Sequence, residues 1–244
     1  MAPRPKHFPP DPGKFSRPWT DKARPLFGTR AIGGYGNRWF YVAAIPRAEA
    51  CGIILKNHYS GRIVQNCYVH MGVFMNGDLE GVLQFGYAMN PAAMSKVVSG
   101  TTSTDYLELN RMWLSPRCPR NSESRAISYA IQYIKAAMPQ VRWLQSFADE
   151  RCGGLGVVYQ AANFLYVGSH QTRFFELDGE FYHEMLLTAH RKGGNRGMTL
   201  RANITRAKAH SLRQFRYVFF VHKGARKHLR LKVHPYPKRI AAGQ

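Results

Sequence analysis

Apolar positions along this chain change period several times, and each change marks a new element. Arg38–Ala44 is a compact aromatic and branched run that predicts a first strand. Pro46 suits the first turn of a helix, with Ala48, Ala50, Cys51, Ile54 and Leu55 on its buried face and an end near Asn57. Val64–Met75 and Leu79–Tyr87 read as two strands around Asn76-Gly77, a pair suited to the positive φ that a tight hairpin turn needs. A short helix is expected over Pro91–Val98, followed by a polar loop at Ser99–Thr104.

The next stretch, Tyr106–Tyr166, organises the rest. Tyr106–Leu114 predicts a strand that stops at Ser115-Pro116. Asn121 or Ser122 can cap a helix whose apolar face carries Ala126, Ile127, Ala130, Ile131, Ile134, Ala137 and Met138, and Pro139 ends it. Val141–Phe147 predicts a second strand, and Gly153-Gly154-Leu155-Gly156 breaks the chain after it. A further helix is expected to bury Leu155, Val158, Tyr159, Ala162, Leu165 and Tyr166 along one stripe. Arg173–Leu177 and Phe181–Leu187 then read as a hairpin turned at Asp178-Gly179, Ala202–Leu212 as a helix, and Phe215–Val221 as a strand.

These elements predict an α/β (α+β) fold: a mixed, mostly antiparallel sheet with helices on both faces. Composition suggests three parts. Residues 1–36 form a basic arm rich in proline and glycine, 37–190 hold the sheet, and 191–244 form a basic C-terminal extension packed on it. No acidic residue follows Glu184, and the hydrophobic spine Phe215, Tyr217, Phe219 and Val221 is flanked by cations.

The net charge is +21 over 244 residues, which bears on partners more than on fold. Nucleic acid is the first candidate and an anionic membrane surface the second. The four cysteines, Cys51, Cys67, Cys118 and Cys152, form no CxxC pair, so neither a zinc site nor a disulfide framework is expected. There is no secretory signal pattern and no apolar run of membrane-spanning length, so a cytoplasmic location in a bacterial host is the expectation. The histidine spacing gives no metal-site pattern, and nothing in the sequence speaks to oligomeric state.

The order of elements resembles the core of GNAT-type acyltransferases, and in particular the phage Mom family of DNA-adenine modification proteins. Carrying the resemblance are Leu109-Asn110-Arg111, Asn121-Ser-Glu-Ser124-Arg125, Ser146-Phe-Ala-Asp149, Val158-Tyr159-Gln160-Ala161 and Ala162-Asn163. Supporting pieces are Asn57-His58-Tyr59-Ser60, Gly81–Gly86 and Pro235–Lys238, so the likeness spans Trp39 to Lys238.

That resemblance implies Tyr159 as the acid for the leaving group, a task a phenol can perform when held beside it. Ser124, in the first helical turn, would hold the donor or shape its loop, although it also suits a capping role. His58 is a candidate base, metal ligand or contact to the target base, Tyr59 a stacking platform for an everted adenine, and Asp149 a group that orients the attacking amine. Donor contacts are implied at Asn110, Arg111, Trp113, Ser124, Arg125 and Asn163, with the two arginines and Asn110 equally able to meet nucleic acid.

One departure bears on the donor. GNAT phosphate loops follow Q/R-x-x-G-x-G/A, whereas this chain has Arg120-Asn-Ser-Glu123-Ser-Arg125, with a carboxylate where glycine would admit a pyrophosphate. A carboxylate there repels phosphate and counts against coenzyme A, so an aminoacyl-tRNA of the glycyl type stands beside acetyl-CoA as the expected donor, with tRNA as a second partner. The acceptor implied is a flipped adenine in double-stranded DNA, whose exocyclic amine receives a carbamoylmethyl-type group that protects phage DNA from restriction. A DNA-binding module on an inactive scaffold, and an N-acetyltransferase for proteins or small amines, are the alternatives.

Overall fold

The computed structural model describes residues 34–37, 39–152, 154–188 and 195–238. The arm over 1–33 and the tail beyond 238 lie outside the described residues. Gly34–Gly36, grouped with the arm on composition, form an edge strand, β1, paired with β2 (Phe40–Ala44). Next come α1 (Arg47–Asn57), β3 (Cys67–Met75) and β4 (Asp78–Gly86). The β3–β4 turn is the expected one, with Asn76 at φ 53° and Gly77 at φ 87°.

A 3-10 turn covers Pro91–Lys96 before β5 (Tyr106–Leu114), α2 (Ser122–Ala137) and β6 (Trp143–Asp149). The remaining elements are α3 (Val157–Ala161), β7 (Leu165–Leu177), β8 (Glu180–His183), α4 (Met185–Thr188), α5 (Asn195–Ala202) and β9 (Lys208–Phe220). The strands form one sheet in the order β1-β2-β3-β4-β5-β6-β9-β7-β8, in which only the β5–β6 pairing is parallel.

The sheet is covered on both faces, as its patterning predicts. On one face α2 packs Ala126, Ile127, Ile131 and Ile134 onto Val73, Leu83, Phe85, Leu107, Leu109 and Leu144. On the other, Ala50 and Ile54 of α1 cover Tyr41, Phe74 and Val82. Farther along that second face, Met94 and Val97 cover Tyr106, Trp143 and Val218. No helix among the described residues is long and apolar enough to cross a membrane.

Three local expectations change. The helix expected through Tyr166 ends at Ala161, because Asn163 takes a left-handed φ of 62°. Phe164 N–H bonds Tyr159 O and Asn163 N–H bonds Gln160 O, both at 3.0 Å, which closes the helix in a Schellman motif. Leu165 and Tyr166 then belong to β7. Beyond Ala202, which ends α5, the segment expected as a helix to Leu212 is not helical either. Ala207, Ala209 and Leu212 fit both periods, and pairing with β7 from Lys208 onward decides for strand. Lastly, Phe181–Leu187 is strand only to His183, after which α4 begins. The C-terminal segment thus supplies β9, an interior strand between β6 and β7.

Candidate active site

β5 and β6 pair from Tyr106↔Trp143 to Leu109↔Ser146 and then part. Beyond that rung β5 stays with β4, while β6 follows β9 to Asp149↔Gln214. Asn110 is an extra residue in β5, since Leu109 opposes Phe85 and Arg111 opposes Gln84. A bulge at the mouth of a parting strand pair turns backbone amides toward the gap, where they can polarise a carbonyl. Ser146 Oγ donates to Leu109 O at 3.0 Å and pins the closed end of this slot.

Tyr159 stands over the slot on the α2 face. The Gly156 N-cap, at φ 74°, starts its short helix, and its ring packs 5.4 Å from Tyr217 and 5.8 Å from Phe164. Tyr217 holds the preceding loop by donating to Leu155 O, and Gln160 Nε2 donates to Leu155 O and to Tyr217 Oη, both at 3.0 Å. Burial of the phenol raises the Tyr159 pKa, the adjacent Ser146 hydroxyl opposes this, and the Glu108 charge adds to it. The group therefore keeps its proton at neutral pH, the form an acid needs.

Glu108 lies on the opposite face, across the slot. Gln145 Nε2 donates to one carboxylate oxygen at 2.6 Å and Asn110 Nδ2 to the other at 3.0 Å. Burial pushes its pKa up to about 7, against the hydrogen bonds from Gln145 and Asn110 and the charges of Arg216 and Arg111. A carboxyl poised at that value can take a proton near neutrality. Sequence reasoning missed it, although a lone Glu between leucines in an apolar strand was a readable signal.

His58, Tyr59, Asp149 and Arg111 gather on this same face. The His58 and Tyr59 rings lie 4.2 Å apart, and His58 Nδ1 bonds the Ser60 hydroxyl at 2.8 Å. Burial and the charges of Arg111 and Arg151 lower the His58 pKa to about 4. It is thus neutral at physiological pH. Arg151, also missed, holds Asp149 at 3.2 Å and lies 5.5 Å from the Tyr59 ring and 5.1 Å from Phe174. Arg62 donates to Phe181 O at 3.1 Å, so the loop after α1 reaches the β7–β8 hairpin.

Ser124 and Arg125 sit elsewhere, in a groove of ≈ 580 Å³ formed by Trp39, Phe40, Arg120, Asn121, Ser122 and Ala161 among others. Ser124 Oγ is occupied by the Asn121 carbonyl at 3.1 Å, and Arg125 lies 4.8 Å over Phe40. Arg125 N–H makes the first intrahelical bond, to Asn121 O, so the amides of Glu123 and Ser124 have no acceptor within the helix. Glu123 is not part of the groove lining, and its charge acts on Cys118 instead. Two arginines and a helix start suit an elongated anionic donor.

The remaining candidates are not brought to this groove. Arg111 faces His58 and donates to Asn110 O at 2.8 Å. Asn110 braces Glu108, Asn163 caps α3, and Trp113 packs with Tyr41, Phe74 and Val82 beneath α1.

The family model for the Mom protein family matches residues 39–238. The chain is 54% identical over 210 residues to methylcarbamoylase mom of Escherichia phage Mu, covering 85% of this chain and 87% of that protein. Among solved structures, the ribosomal-protein-S5-alanine acetyltransferase of Vibrio fischeri aligns with TM-score 0.46 and 8% identity, covering 78% of this chain and 97% of that one. RimL, the ribosomal L7/L12 alpha-N-protein acetyltransferase, aligns with TM-score 0.42 and 12% identity, covering 75% and 94%.

Proposed function

Because this chain belongs to the Mom protein family, we propose that it is an enzyme that places an acyl-derived, carbamoylmethyl-type group on the exocyclic amine of adenine in phage DNA. The reading is supported above all by one arrangement: a slot between parting strands, with Tyr159 at one mouth and a carboxyl near neutrality, Glu108, at the other.

In this reading the groove at the start of α2 holds the donor, and Arg120, Arg125 and the first-turn amides face its phosphates. Those residues suit the phosphates of acetyl-CoA and of an aminoacyl-tRNA alike. The donor carbonyl enters the slot, where amides at the Asn110 bulge polarise it. Adenine enters from the α1 face, out of its stack because its amine is paired in duplex DNA. Tyr59 supplies a face for the base, and Asp149, held by Arg151, orients the amine. Glu108 takes a proton from the amine as the new N–C bond forms, which yields an N6-acyl adenine. Of the two donors only the glycyl one carries the atoms of a carbamoylmethyl group, of which the glycyl amide is an isomer that needs a further rearrangement. Tyr159 gives its proton to the departing sulfur or oxygen as the old bond breaks. The reaction runs in the bacterial cytoplasm and masks phage DNA from restriction nucleases.

The test is expression in a bacterial host, digestion of the DNA to nucleosides, and mass spectrometry. A heavier deoxyadenosine with the wild type, absent with Tyr159→Phe, is the expected result. Unaltered deoxyadenosine with both proteins, alongside tight salt-dependent DNA binding, would replace the enzyme by a binding module.

A further inference from the structure

Arg216 stands out among the arginines of the cleft. Arg62, Arg151, Arg196 and Arg213 each hold a carboxylate, and Arg111 donates to two backbone carbonyls. Arg216 is half-buried, and among the described residues no hydrogen bond or ion pair reaches its guanidinium. Its Nε is enclosed without an acceptor. The group lies 5.0 Å over the Phe147 ring, whose edge contacts His170 at 5.6 Å. Register places it on the Glu108 face: Arg216 opposes Phe147, one row beyond the Glu108↔Gln145 pair. Phe147 belongs to none of the hydrophobic clusters beneath the helices. Leaving the enclosed Nε–H unmatched is unfavourable, while the terminal amines of the same guanidinium stay open to a ligand that brings an acceptor.

We infer that Arg216 reads the N1 edge of the target adenine, while Glu108 receives its exocyclic amine. This rests on the adenine reading above. Adenine presents an amino donor beside the N1 acceptor, the complement of a carboxylate beside a guanidinium. Guanine and thymine present a carbonyl oxygen beside an N–H, which reverses both contacts and sets a carbonyl against Glu108. The same contact assists the reaction. As the amine loses its proton, negative charge spreads onto N1, and a cation there stabilises it. Phe147 keeps the guanidinium flat and in place.

A binding measurement tests this without the donor. The full chain is titrated with a DNA duplex carrying one unpaired adenine, and with the same duplex carrying 1-deazaadenine, in which C–H replaces N1. Wild type is expected to prefer adenine about tenfold, the discrimination typical of one good base contact. Arg216→Ala is expected to bind both alike, with Arg216→Lys in between and the thermal midpoint of each variant measured beside it. Equal affinity of the wild type for both duplexes overturns the inference. So does a preference that survives in Arg216→Ala. A uniform loss on all DNA with a shallower salt dependence also overturns it, because it makes Arg216 a phosphate contact. Failure of the parent reading shows separately, as an absence of modified deoxyadenosine in cells making the wild type.

Discussion

Ser146 Oγ donates to the Leu109 carbonyl at 3.0 Å on the last rung that β5 and β6 share. The bond ties the two strands at the point from which they diverge, so the depth of the slot depends on it. Ser146 is fully buried, and Ser146→Ala leaves the carbonyl without that donor. The expected cost is about 1 kcal/mol of stability, read from urea unfolding, with a larger loss of DNA modification.

Tyr159→Phe keeps the ring contacts with Tyr217 and Phe164 and removes only the acid. Modification is expected to fall about 10²–10⁴-fold with little change in thermal midpoint. A variant as active as wild type would remove Tyr159 from the mechanism.

Glu108 titrates near pH 7, and its carboxylate is the working form of a base. The modification rate should therefore rise with pH up to about 7 and level off above it. Glu108→Gln is expected to lose at least about 100-fold and to flatten the profile. Stability carries the opposite sign. A carboxyl whose pKa is raised on folding contributes fully below its unfolded value, and the contribution is lost as pH rises through about 7. Relative to wild type, Glu108→Gln should gain more in thermal midpoint at pH 8 than at pH 6.

His58 and His70 both have pKa values lowered to about 4, mainly by burial. Unfolded, each would bind a proton below about 6.5. Their contribution to stability is present above that value and is lost as pH falls toward about 4. The thermal midpoint should fall between pH 6.5 and 4.5, and His70→Gln should fall less steeply.

Gly156 begins α3 at φ 74°, and a Cβ there would run into the Tyr217 ring. Gly156→Ala should cost more than about 1 kcal/mol from the left-handed backbone alone and should displace Tyr159 as well. Asn163→Gly, at the other end of the helix, is expected to be nearly neutral because glycine accepts the same conformation. A neutral Gly156→Ala would show that the loop has room this packing denies.

Much of this fold is legible in local pattern. Asn76-Gly77 and Asp178-Gly179 turn where their sequence says, and the apolar stripe of α2 is buried as spaced. Segments that fit two periods are not legible, as at Ala207–Leu212, where a partner strand distant in sequence decides. The candidate site divides in the same way. His58 and Tyr59 follow the end of α1, Asp149 ends β6 and Tyr159 lies in α3, and that order places them near the slot. Trp113, Asn110 and Asn163 share that order, yet strand parity, a bulge and a helix cap give them other tasks. Glu108 stands out in its strand as a lone carboxylate between leucines, but that it shares a face with Arg216 follows only from register.

β9 begins at Lys208, yet it is the strand that flanks β6 on the side away from the slot. A wall of the proposed reaction chamber therefore waits until every other strand of the described sheet has left the ribosome. A chain cut short before that point lacks the support for Asp149 and Phe147, and it lacks Arg216 altogether. Translation products cut short before Lys208 should consequently leave the genome unmarked.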